Sequence, residues 1–76
     1  MTKTAAIEFT QDEFDDLIYA AREAHIRFKR ARTEMNRGNP HYQMFDIDSL
    51  NADIAHYAAV ENSLREKYAA AFGETW

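Results

Sequence analysis

Two apolar stripes of similar length, separated by one chain-breaking segment, constrain this 76-residue sequence more than any other feature. The first reads Phe14, Leu17, Ala21, Ala24, Phe28, Ala31, Met35, and the second Ile47, Leu50, Ile54, Tyr57, Glu61, Leu64, Tyr68, Ala71. Both alternate steps of three and four, the spacing that holds side chains on one face of a helix. Between them lies Asn36-Arg37-Gly38-Asn39-Pro40, with the only proline and one of two glycines. Gly38 suits a left-handed helix end and Pro40 cannot continue a helix. The expected fold is all-α: an antiparallel two-helix hairpin with a short helical connector, dimerising into a four-helix-type bundle. One domain spans 1–76, with helix 1 at about 10–36, a connector at 37–48, helix 2 at about 49–72 and a short tail at 73–76.

The helix ends carry their own signals. Thr10 can cap helix 1, Glu13 completes a capping box, and Phe9 with Phe14 brackets the cap as a hydrophobic staple. Asn39 followed by Pro40 can begin a helical turn running toward Phe45. Helix 2 can be capped by Asp48 or Ser49 and stopped by Gly73. The connector holds His41, Tyr42, Met44 and Phe45, too apolar for a loop wholly in water, so it is expected to fold over the end of the helix pair.

A carboxylate on an apolar centre line must be answered. With Asn36 opposite Ser49, facing residue numbers add to about 85. Phe14 then faces Ala71, Ala21 faces Leu64, Ala31 faces Ile54, and Ala24 leaves room beside Glu61. His25, on the flank that also carries Ile18 and Arg32, is expected to pair with Glu61 as a core polar pair, and Arg32 with Asp53. Such a pair fixes register or oligomeric state, as a core polar residue does in coiled coils; its alternative role is a pH-sensitive or ligand-reading site.

Charge follows the same architecture. Glu8, Asp12, Glu13, Asp15 and Asp16 open the chain, and Arg22, Arg27, Lys29, Arg30, Arg32 and Arg37 follow. That is the distribution a helix macrodipole favours. In an antiparallel pair it sets the basic end of helix 1 beside Asp46, Asp48 and Asp53, and the acidic start beside Arg65 and Lys67. A net charge of −4 disfavours generic nucleic-acid binding, which relies on cations displacing counterions.

Chemistry-bearing patterns are scarce. The chain has no cysteine, which excludes disulfides and thiolate ligands. His25, His41 and His56 lack metal-ligand spacing, and Asp53-x-x-His56 is only half of a di-metal motif. No glycine-rich loop or paired nucleophile is present. The expectation is a non-enzyme without metal or cofactor. No apolar run reaches a membrane-spanning length and the N-terminus lacks a signal-peptide core, so cytoplasmic residence is expected.

Two helices bury little surface at this size, and a partner copy is the expected remedy. Tyr19 and Ile26 share a line nearly opposite the main stripe, beside Arg30. Tyr, Trp and Arg are favoured anchors of interfaces. Tyr19, Ile26, Arg30, Tyr42, Phe45 and Trp76 are therefore the candidate partner-binding residues. Size, acidity and lack of catalytic residues are similar in kind to the small stoichiometric regulators encoded by phages and mobile elements. The expected function is an interaction protein that self-associates and binds, and inhibits or regulates, a protein partner. The alternative is a helical oligomer that sequesters an anionic small ligand such as a nucleotide, using Arg27, Arg30, Arg32 and tyrosines.

Overall fold

A computed structural model describes residues 3–76 as two helices of 26 residues each, α1 (Gln11–Asn36) and α2 (Ile47–Phe72), packed antiparallel and joined through a 3-10 turn, Pro40–Tyr42. α1 begins in a reciprocal capping box. Thr10 Oγ1 accepts from the Glu13 N–H at 3.2 Å, and the Thr10 N–H donates to Glu13 Oε1 at 3.0 Å. Donation from the Thr10 backbone N–H, foremost, and from the Thr10 hydroxyl holds the Glu13 carboxyl below the usual carboxylate range. Phe9 meets Phe14 edge to face at 6.0 Å across this cap.

α1 ends because Gly38 adopts φ +80°. The Gly38 and Asn39 N–H groups then reach back to the carbonyls of Met35 and Glu34, at 3.0 and 3.1 Å, and satisfy two of the acceptors a helix end leaves open. Asn39 Oδ1 caps the following turn through the His41 N–H at 3.1 Å.

α2 starts two residues before the expected position. Asp46, rather than Asp48 or Ser49, is the cap, accepting from the Ser49 N–H at 2.9 Å. This places Phe45 and Leu50 at the two positions of a hydrophobic staple, an added preference for the earlier start. α2 stops at Gly73, in the left-handed region with φ +68°.

The register is set by aromatic contacts. Phe28 stacks on Tyr57 at 5.5 Å, near the middle of the seam. Phe14 meets Tyr68 at 5.8 Å and Phe72 at 6.0 Å; Ala71, expected opposite it, is exposed.

The rotation of α1 also differs from the expected stripe. Ile18, expected on the flank, is the one fully buried large side chain among the described residues, and Leu17 remains 39% exposed. Positions 18, 25 and 32 recur every seven residues, just as 17, 24 and 31 do, and either set can flank the Phe14–Ala21–Phe28–Met35 line. Turning the first set inward buries the β-branched Ile18. It also brings the polar ends of His25 and Arg32 to acceptors on α2. The inward line of α1 thus carries polar members after all.

The core is small. Ile18, Ala21, Ala31, Leu50, Ile54 and Tyr68 are its buried residues. The accessible surface is 5987 Å² and the radius of gyration 15.4 Å. A compact chain of this mass would expose about 4,800 Å² and have a radius near 11 Å. The hairpin is a single layer, 44 × 29 × 15 Å.

Candidate interaction surface

Glu61 projects into the seam with a side chain only 14% exposed. Its nearer partner is on its own helix: Arg65 donates from Nη2 to Glu61 Oε2 at 3.0 Å. Glu61 followed by Arg65 four residues later is the favoured order for a helical ion pair. Across the seam, His25 Nδ1 lies 3.5 Å from Glu61 Oε1, at the outer limit of a hydrogen bond.

Arg65 is itself covered. Its guanidinium lies 4.8 Å from the centre of the Trp76 ring, close enough for a cation–π interaction. The Trp76 indole N–H donates to Asp15 Oδ1 on α1 at 2.8 Å. Beside it, Gln11 bonds both the Tyr68 hydroxyl and Glu74. The segment after α2 therefore folds back as a strap over one broad side of the hairpin. Trp76, a candidate partner anchor, is half-buried in this intramolecular contact. Under the ring, Arg65 Nε is buried without an acceptor, a cost that the stacking and the Glu61 pair offset.

Arg32 donates to Asn51 Oδ1 at 3.0 Å instead of forming the expected ion pair with Asp53. Asn51 lies on the flank of α2 that α1's Arg32 faces, whereas Asp53 lies on the opposite flank. Among the described residues the ion pairs are His25–Glu61, Glu61–Arg65 and Glu34–Arg37, none of which joins the basic end of α1 to Asp46, Asp48 or Asp53.

Tyr19, 57% exposed, and Ile26, 41%, lie with Glu23 and Arg30 along the outer edge of α1, turned away from α2. Glu23, Ile26, Arg27 and Arg30 frame a shallow hollow of about 230 Å³ there. Tyr42 and Phe45 sit elsewhere. They stack on each other at 5.9 Å over the end of α1 and, with Arg27, Phe28, Arg30 and Ala31, line a groove of about 410 Å³. The connector thus folds onto α1 while leaving Phe45 and Met44 open to solvent. Arg32 is not part of that groove.

The broad side away from the strap is bare. Asp15, Arg65 and Trp76 mark the strapped side. Leu17 lies roughly opposite Asp15 around α1, and Val60 is well round α2 from Arg65, so these residues and Leu64 share the other side with Ala20 and Ala24. A second shallow hollow, lined by His56, Val60, Leu64 and Lys67 among others, runs along its α2 half.

No group of three or more metal-ligating side chains converges among the described residues, and no described helix is long and apolar enough to cross a membrane. Comparison with protein-family models, curated proteins and solved structures finds no match to this chain.

Proposed function

We propose that this chain is a small non-catalytic interaction protein that acts in the cytoplasm, self-associates into a helical bundle, and binds a protein partner to inhibit or regulate it. The observation that carries this reading is the surface left uncovered. The hairpin exposes some 1,200 Å² more than a compact chain of its mass, an excess of the size that one side of a stable interface removes. Tyr19, Ile26 and Arg30 on the outer edge supply the aromatic, aliphatic and cationic anchors that interfaces concentrate. The combination of small size, acidity and exposed anchors is also what a stoichiometric regulator of the phage-encoded kind requires.

The test is quantitative capture from cells on the immobilised chain, alongside the double variant Tyr19→Ser/Ile26→Ser. A protein retained in stoichiometric amount by the parent chain and lost with the variant is the expected result. Equal retention by both removes the outer edge from the reading.

A second reading rests on the loop-end groove. Two arginines without an ion pair among the described residues and a stacked Tyr42–Phe45 pair form a site of the right chemistry for an anionic aromatic ligand such as a nucleotide. Thermal shift against a nucleotide panel separates the readings: a ligand-dependent rise in melting temperature supports sequestration.

A further inference from the structure

The bare side and the loop-end groove belong together, and we infer that both are filled by a second copy of this chain, running antiparallel across the first about a two-fold axis. This rests on the self-association proposed above and adds the face, the direction and the residues that pair.

The first ground is area. One compact body of twice the mass would expose about 7,900 Å², whereas two separate hairpins expose twice 5987 Å². Closing that gap needs a face about 2,000 Å² in extent on each copy, within the range of obligate dimers. Of the faces of a layer measuring 44 × 29 × 15 Å, the broad sides come nearest to that extent. The outer edge of a single helix is not. The strapped side already carries Trp76.

The second ground is charge complementarity along the rim of the bare side. On α1 the rim begins with Glu13 and Asp16 and ends with Arg27 and Arg30. All four are exposed, and none has an ion-pair partner among the described residues. An isologous interface brings each patch onto its own copy, so residue i meets j and j meets i. Running the second α1 antiparallel sets Glu13 against Arg30 and Asp16 against Arg27, and both pairs have the same midpoint, between Ala21 and Arg22. The small side chains of Ala20 and Ala24 lie beside that midpoint, where the two backbones approach.

The third ground is the groove itself. The same alignment carries the start of the second α1, with exposed Phe9 and the carboxylates after it, toward Arg27, Arg30, Tyr42 and Phe45. Glu13 keeps Oε2 available, since the capping box uses Oε1. Aromatic meets aromatic and acid meets base at both ends of the dimer.

A charge swap tests the pairing. Arg27→Glu alone sets a new carboxylate against the second copy's Asp16, and Asp16→Arg alone places two arginines together; both positions are exposed, so the hairpin is spared. The parent chain is expected to sediment at twice 8.8 kDa at micromolar concentration. Each variant alone should dimerise at least about tenfold more weakly, because like charges facing each other oppose association. An equimolar mixture of the two variants should form a heterodimer, with one ion pair kept in its original sense and the other restored in reversed sense. Unchanged circular dichroism confirms the fold; should either variant lose helix, Arg30→Glu with Glu13→Gln replaces the pair, and Arg30→Glu alone should be rescued when the facing carboxylate is neutralised. A monomeric parent chain, variants that dimerise like the parent, or a mixture without recovery each overturns the inference. Partner capture through Tyr19 and Ile26 is read separately, so a monomer that still captures its partner leaves the wider functional reading intact.

Discussion

The two broad sides of the hairpin solve the same problem differently. On one side the chain covers its own seam: Trp76 lies over Arg65, Arg65 holds Glu61, and Asp15 anchors the indole from the opposite helix. On the other, Leu17 and Ala20 stay exposed and Ala24, Val60 and Leu64 are only half-buried. A two-helix layer has too little chain to close both sides. The strapped side shows how a polar seam is made tolerable within one copy, by surrounding a carboxylate with cations and a ring. The bare side is apolar, and apolar area is removed from water most readily by a second apolar surface.

Four substitutions probe this contrast. Ile18→Ala removes the most buried side chain of the seam both sides share and should cost about 3 kcal/mol in urea unfolding, the largest effect of the set. A cost under about 1 kcal/mol would mean that Ile18 is not packed as described. Trp76→Ala removes the strap, with its hydrogen bond and its cation–π contact; the expected loss is about 1–2 kcal/mol, independent of protein concentration. Concentration dependence there would place Trp76 in an interface between copies.

Thr10→Ala removes the cap common to both sides and should cost about 1 kcal/mol. It also tests linkage. Because the Glu13 pKa is lowered by folding, its contribution is present above the unfolded carboxylate value and is lost as pH falls through the lower folded value. The larger cause of the shift is the Thr10 backbone N–H, which alanine keeps, so in thermal melts across the acid range Thr10→Ala should lose only the smaller share of this sensitivity that the hydroxyl supplies. Ala20→Gln, on the bare side, is the mildest. In dilute solution it should change stability by no more than about 0.5 kcal/mol, and by more as concentration rises and mass action favours the assembled form. An effect identical at every concentration would argue that the bare side stays in water.

Much of the fold was legible in the sequence, because helix periodicity and cap chemistry are local. Thr10, Glu13, Gly38 and Gly73 each act within a few residues of themselves, and the hairpin follows from the short connector. The rotation of α1 was harder. Leu17 and Ile18 are both apolar, so the choice between their heptad sets depends on what α2 presents, including Asn51 and Glu61. The start of α2 was ambiguous because Asp46, Asp48 and Ser49 can all cap; Phe45 and Leu50 held the distinguishing signal. The Glu61–Arg65 pair was also readable from its spacing of four. Trp76–Asp15 was not, since residues at opposite ends of the chain meet only once the hairpin has closed.

Trp76 is the single tryptophan of the chain, and the structure sets it against a cation and a carboxylate at the meeting point of both helices. The molecule therefore carries its own optical probe. Indole emission reports whether the strap is closed and separates that motion from melting of the helices, which circular dichroism follows. Should the strap lift before the helices unwind, the two signals will part along a denaturant titration, and the side of the hairpin that yields first can be read without a label.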